Sequence, residues 1–221
     1  MAKVAVVIAG SGVADGSEIH EATLTLLHLD DLGASYQCFA PDKPQHHVIN
    51  HILGEEMDVE ARSCLIEAAR IARGNIKPLS ELNAASYDAL VFPGGFGAAK
   101  NLCDFAFSGA NCTVDTDVER AILEFHNADK VTTFICIAPV IAAHVYGKAG
   151  KKVKLTIGDD PSTAAAVEKM GAQHVIAAVD EAVVDEKYLV VTTPAYMLGP
   201  AISNINKGIR LAMEETIRLA G

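Results

Sequence analysis

The chain lacks any apolar run of the roughly 18 residues that a membrane-spanning helix needs. It has no C-x-x-C pair, and its five cysteines (Cys38, Cys64, Cys103, Cys112 and Cys136) are odd in number and irregularly spaced. This argues against a disulfide framework or a zinc site and fits reduced thiols. Positive charge is in deficit: 18 Lys and Arg against 28 Asp and Glu give a net charge of −10. Nucleic-acid backbones and anionic membranes are therefore not expected as partners. No internal repeat, low-complexity tract or linker divides the 221 residues, so a single domain over 1–221 is expected. Met1-Ala2-Lys3 followed by Val4–Ile8 faintly resembles a signal peptide. The apolar run is too short, however, and glycines and acids follow it. It reads as a buried first strand, and a cytoplasmic location is expected.

What is present is an alternation of strand and helix patterns. Val4–Ile8, Ser35–Phe39, Ala89–Phe92, Val131–Ile135 and Leu189–Thr192 read as strands, with shorter ones near Lys154–Ile157 and Val175–Val179. Helical spacing runs from Ser17 through Ile19, Ala22, Leu26 and Leu29 to Gly33, with Ser17 as the expected cap. Further helices are expected at Glu60–Arg73, Val114–Ala128, from Pro139 to Tyr146, Thr163–Met170, and from about Pro200 to Leu219. Asp42 to about Val59 is a polar stretch, and Asn75–Ser86 is loop-like. Such an alternation predicts an α/β fold with a mostly parallel sheet covered on both faces. Ligands then bind outside the carboxyl ends of the strands. That rule gathers the Gly10–Gly16 loop (including Gly12), Pro93–Gly97 and Cys136–Pro139 at one edge.

Cys136 ends an apolar β-rich run, and Ile137-Ala138-Pro139 opens a helix after it. That is the pattern of a nucleophile elbow, in which free amides at a helix start lower a thiol's pKa and hold an oxyanion. The competing reading is a buried core cysteine, one of the most buried residue types. Gly94 and Gly95 follow a strand and let backbone N–H groups approach a substrate. Gly95 and Ile137 are the expected oxyanion pair. Glu18 and Glu21 are spaced to share one helix face. Either both decorate the helix dipole, or one leans into the pocket and shares a proton with Cys136; Glu21 is the first choice. Gly10-Ser11-Gly12 starts like a dinucleotide fingerprint, but Asp15 stands at the third glycine position and would repel a pyrophosphate. His46, His47 and His51 lack a nearby third ligand and read as surface. His20 and His144 are acid/base candidates or structural histidines.

Five segments carry a family resemblance: Asp15–Glu21, Phe39–Asp42, Phe92–Leu102, Cys136–Pro139 and Val191–Met197. Together they resemble the ElbB family, called the isoprenoid biosynthesis glyoxalase, of the class I glutamine amidotransferase-like superfamily that includes the ThiJ/PfpI proteins. The resemblance runs nearly end to end. It implies a flavodoxin-like three-layer sandwich and a homodimer, with the nucleophile at Cys136 and the helix-borne acid at Glu21. It also implies a cofactor-free, metal-free glyoxalase III activity on small aldehydes, glyoxal giving glycolate. The chain departs from the pattern at Ser11, where the family usually has cysteine, and at Ala14, where it has tyrosine. Peptidases and amidotransferases of the superfamily place a histidine beside or downstream of the cysteine. Ile137 and the segment Lys154–Asp159 offer none here. This points away from amide hydrolysis. The expected chemistry is a Cys136 thiolate adding to an aldehyde, with Glu21 as proton shuttle and His20 as a second carrier. The rival is a non-catalytic binding or redox-sensing protein that uses the same thiol.

Overall fold

The computed structural model of the chain describes residues 1–221 apart from Val59 and Pro200. In chain order the elements are β1 (Lys3–Val7), α1 (Ile19–Asp31), β2 (Ser35–Ala40), β3 (Ile49–Asn50), β4 (Glu55–Glu56), α2 (Cys64–Ile71), β5 (Ile76–Pro78), β6 (Ala89–Phe92), α3 (Phe96–Lys100), α4 (Phe105–Ser108), α5 (Thr116–Asn127), β7 (Val131–Ile135), α6 (Pro139–Lys148), β8 (Lys154–Leu155), α7 (Pro161–Lys169), β9 (Gln173–His174), β10 (Val183–Asp185), β11 (Val190–Thr193) and α8 (Ile202–Ala220).

Seven strands form the central sheet in the order β10-β11-β7-β6-β1-β2-β5. All neighbours are parallel except β10, which runs antiparallel to β11. Strands β1, β6 and β7 are buried on both faces (Lys3 excepted), as a parallel sheet under two helical layers requires. Helices α1, α2 and α8 pack together, and α3, α5 and α6 pack together. Right-handed crossovers place these two groups on opposite faces of the sheet. The result is a flavodoxin-like three-layer sandwich. Phe92 of β6 and Phe134 of β7 stack with ring centroids 5.0 Å apart, locking the two strands that carry the site. The buried threonines of β7 are satisfied within the core: Thr133 Oγ1 lies 2.6 Å from Thr216 Oγ1, and Thr132 Oγ1 3.1 Å from the Tyr146 hydroxyl.

The chain direction reverses between β1 and β6. From β1 it moves out to β2 and β5; from β6 it moves the other way to β7 and β11. That reversal opens the crevice where ligands of this fold class sit. Among the described residues, no helix is long and apolar enough to cross a membrane.

Several expected boundaries move. Ser17 does not cap α1, because its hydroxyl is buried and accepts the Ala9 N–H at 2.9 Å. Glu18 is the cap instead and accepts the Glu21 N–H at 2.7 Å. The expected strand at Val175–Val179 is irregular, with Ile176 exposed; the pairing residues are Gln173 and His174 of β9, against β8. Within the polar stretch the chain forms the β3–β4 hairpin, and the expected loop after Asn75 contributes β5 at the sheet edge. The Val59 end of that stretch and the Pro200 start of the last helix lie outside the described residues.

Candidate active site

Three strand ends build the site. Cys136 follows β7 with φ of 64°, a left-handed conformation that a β-substituted residue avoids unless the surroundings impose it. Its N–H donates to the Thr193 carbonyl at 2.9 Å, and the next turn begins α6, with Pro139 in its first turn. The Ala138 N–H is used by the Ile135 carbonyl, leaving the Ile137 amide to face the sulfur. The Gly95 amide faces the sulfur from the β6 side.

Steric room explains the glycines. A Cβ on Gly94 would stand 2.4 Å from the Cys136 Cβ and 2.6 Å from Glu21 Oε2. Gly95 has φ of 95°, and its Cβ would strike the Glu18 nitrogen at 2.3 Å. Gly94 and Gly95 thus let β6, α1 and the elbow close on one point. Gly12 is also at positive φ, but its empty side faces Asp15 Oδ1 and His51 rather than Cys136.

Glu21 reaches the thiol from the first turn of α1 and is fully buried. Its Oε1 accepts the Tyr196 N–H at 3.1 Å, and Oε2 has no partner of standard hydrogen-bond geometry. Its titrating neighbour on that side is the Cys136 thiol. Burial raises the Glu21 carboxyl to about 8, the Tyr196 amide opposes the rise, and the Glu18 charge adds to it. The thiol is itself pushed well above its ordinary value, first by burial and then by Glu21, while the Gly95 and Ile137 amides pull the other way. The expected low-pKa thiolate is therefore corrected: a neutral thiol faces a neutral carboxyl, because burial disfavours the charged form of both groups. Removing one proton leaves a single anion shared by the pair.

A cavity of about 450 Å³ opens above Cys136. Val13, Phe96, Ala99, Phe105, Ile137 and Met197 supply most of its wall; Glu18, Thr163 and Tyr196 supply its polar side chains. Among the described residues lining it there is no histidine. Glu18 borders it as the cap of α1 rather than from a helix face shared with Glu21. His20 stands outside it, half-exposed, with Nδ1 2.8 Å from the Tyr196 hydroxyl and 3.8 Å from Glu18 Oε1. Val13 reaches the cavity from the Gly10–Gly16 loop; Ser11 and Ala14 do not line it.

Two contributors escaped the sequence reading. Tyr196 sits in a short 3₁₀ turn after β11, and the signal was its place three residues past a strand end, like the other corners. Asn101 at the end of α3 holds the loop beneath the site. Its Nδ2 donates to the Ala9 and Asp15 carbonyls at 2.9 and 2.8 Å, and its Oδ1 accepts the His46 N–H at 2.9 Å. His46 and His47 pack on Phe107, while His51 Nε2 accepts the Ala14 N–H at 3.2 Å and braces the loop after β1. His144 faces away from the cavity, toward Cys112.

No family model matches the chain. It is 48% identical to the rat (Rattus norvegicus) "ES1 protein homolog, mitochondrial", covering all of this chain and 85% of that protein. It is 47% identical to the human (Homo sapiens) "Glutamine amidotransferase-like class 1 domain-containing protein 3, mitochondrial", covering all of this chain and 84% of that protein. Among solved structures, an isoprenoid biosynthesis protein with amidotransferase-like domain from Ehrlichia chaffeensis superposes with a TM-score of 0.93 at 34% identity, over the whole of both chains. A DJ-1 superfamily protein from Salmonella typhimurium shares the fold, with a TM-score of 0.58 at 23% identity over 99% of this chain and 90% of the other. The mitochondrial relatives contradict the expected cytoplasmic location. That expectation leaned on reading Val4–Ile8 as a buried strand rather than a signal peptide and on reduced thiols, which suit more than one compartment. The end-to-end identity with the rat and human proteins places this chain in the ES1 family of glutamine amidotransferase-like class 1 proteins.

Proposed function

We propose that the chain is a cofactor-independent, glutathione-independent glyoxalase of the glyoxalase III type (a lyase), in the ElbB branch of its family, turning 2-oxoaldehydes and water into 2-hydroxy acids on Cys136. The observation that carries the reading is a cysteine at positive φ whose acid/base partner is a buried carboxyl, beneath an apolar cavity that no histidine lines among the described residues. Amide hydrolysis needs a group that protonates a leaving amine; conversion of an oxoaldehyde to a hydroxy acid releases no amine, its one leaving group is the Cys136 thiolate, and the remaining steps are proton transfers and water addition.

In this mechanism the Glu21–Cys136 pair first loses one proton to solvent; Glu21, as the carboxylate, then takes the Cys136 proton, and Sγ bonds to the aldehyde carbon. The carbonyl π pair moves to oxygen, held by the Gly95 and Ile137 amides and then protonated, giving a hemithioacetal. The hydrogen on that carbon leaves as a proton, an enediol forms, and the adjacent carbon is reprotonated to give a thioester. Water cleaves the carbon–sulfur bond, releasing the 2-hydroxy acid and the thiol. One carbon is oxidised and its neighbour reduced, so no external redox partner is required. Tyr196, with its hydroxyl on His20, is the second proton carrier; this assigns to His20 a role through Tyr196 rather than direct contact.

The apolar wall offers far more room than two-carbon glyoxal fills, which favours oxoaldehydes with an apolar substituent. One domain and a homodimer, testable by sedimentation, remain part of the proposal. The functional test mixes the chain with glyoxal and with phenylglyoxal, without glutathione, and follows hydroxy-acid formation. Wild type turns over both, phenylglyoxal with the lower KM, and Cys136→Ala neither. Equal turnover by the variant sinks the nucleophile assignment; negligible turnover by both proteins favours a binding or redox-sensing protein.

A further inference from the structure

The cavity above Cys136 is one-sided in charge. Among the described residues lining it, Glu18 supplies the only carboxylate, and there is no lysine, arginine or histidine to balance it. The cations nearby are engaged elsewhere. Lys100 of α3 lies 5.5 Å from the centroid of the Phe96 ring, but its ammonium donates to the Ala14 carbonyl at 2.9 Å and does not line the cavity. His20 Nδ1 lies 2.8 Å from the Tyr196 hydroxyl and 3.8 Å from Glu18 Oε1, the latter beyond hydrogen-bond reach.

Glu18 is held where its charge acts on an entering molecule. Its N–H donates to the Gly94 carbonyl at 3.0 Å, which ties it to the loop that carries the Gly95 amide. Its Oε2 accepts the Glu21 N–H at 2.7 Å in the first turn of α1, where the helix dipole favours negative charge. The side chain is therefore fixed, yet it remains 11% exposed. Its charge reaches the reacting groups. Burial first, and the Glu18 charge after it, raise both the Glu21 carboxyl and the Tyr196 phenol. An apolar wall screens a charge less than water does, so a molecule approaching Cys136 feels this carboxylate.

We propose that Glu18 sets the charge preference of the cavity: it admits electrophiles whose remote end is cationic or neutral and turns away those that carry a carboxylate, sulfonate or phosphate. As a statement about substrates this rests on the glyoxalase reading, and it narrows that reading to oxoaldehydes without an anionic group. As a statement about the cavity it needs only the Cys136 thiol as a target. Like charges roughly 6 Å apart at an effective dielectric of about 40 change a rate by about tenfold.

The test uses three methanethiosulfonates that share an ethyl arm ending in trimethylammonium, hydroxyl or sulfonate. The rate of Cys136 modification in the full-length chain, read from the mass of its peptide at about pH 8.5, where a free imidazole is neutral, is divided by each reagent's rate with N-acetylcysteine. Wild type reacts fastest with the cation and slowest with the anion, each step being about tenfold. Glu18→Gln keeps an oxygen for the Glu21 N–H and flattens both steps. Glu18→Asp, a favoured helix cap that keeps the charge, retains them. A change in thiolate fraction affects the three reagents alike and cancels in their ratios. The Gly95 and Ile137 amides favour an anion in every variant, so the comparison with Glu18→Gln isolates the carboxylate. In turnover, phenylglyoxal outruns 4-carboxyphenylglyoxal in kcat/KM, and the margin narrows about tenfold in Glu18→Gln. The predicted modification ratios without turnover of either aldehyde would count against the glyoxalase chemistry alone and leave the charge preference standing. Ratios equal in wild type and Glu18→Gln, ratios lost in Glu18→Asp, or a wild-type preference for the sulfonate would each overturn it.

Discussion

Consider Glu21→Gln. In the folded protein the Glu21 carboxyl titrates at about 8 instead of its ordinary 4.5, because burial strips it of water. The unfolded chain releases that proton near the ordinary value. Between these two pH values the folded state holds a proton that the unfolded state has lost. Stability therefore falls as pH rises through the window, and the penalty is complete above it. Each pH unit costs roughly 1.4 kcal/mol, so between pH 5 and pH 7.5 wild type loses up to about 3 kcal/mol that the amide does not. This is an upper figure, since the Cys136 thiol shares the proton. Glutamine keeps the acceptor for the Tyr196 N–H, so the local geometry survives. Urea unfolding of both proteins at the two pH values isolates the effect. The variant gains up to about 3 kcal/mol on wild type between pH 5 and pH 7.5, while its aldehyde turnover disappears. A stability gap independent of pH would refute the buried, proton-holding carboxyl on which the mechanism rests.

Other perturbations follow from the same contacts. Turnover by wild type rises with pH through about 8, with an apparent pKa that belongs to the Glu21–Cys136 pair; a flat profile from pH 6 to 9 would contradict the shared proton. Gly94→Ala drives a Cβ to 2.4 Å from that of Cys136, costs roughly 1–3 kcal/mol in thermal or urea unfolding, and abolishes turnover in the protein that still folds. Asn101→Ala leaves the Ala9 and Asp15 carbonyls without their donor and costs roughly 1–3 kcal/mol, read as a lowered Tm. Tyr196→Phe lowers kcat by about 10²-fold with KM little changed if the hydroxyl carries the second proton, and lowers neither if it only lines the wall.

The readable part of the fold was its middle. β1, β2, β6, β7 and β11 are short runs, mostly buried and rich in β-branched or aromatic residues, and each stops at a glycine, proline or cysteine corner. The periphery was not readable. β5 has three residues ending in proline, and β9 pairs through the backbone of Gln173 and His174, whose side chains have no apolar pattern. The Ser17 cap failed because tertiary contact with Ala9 took its hydroxyl. In the site, the convergence of Cys136, Glu21, Gly95 and Ile137 was legible because all four lie at strand ends or a helix start. The state of the thiol was not, since the balance between two amides and full burial is set by packing that no spacing reveals. Nor was the cavity: its wall comes from Val13, Phe96, Phe105 and Met197, on four separate segments.

The central claim is that Cys136 forms the bond to the aldehyde carbon. Rapid quenching after mixing with phenylglyoxal, followed by peptide mass spectrometry, tests it directly. The account predicts one covalent equivalent on the peptide containing Cys136, more at pH 9 than at pH 7, and none in Cys136→Ala. An adduct confined to Cys38, Cys64, Cys103 or Cys112, or turnover with no adduct on Cys136, would contradict it.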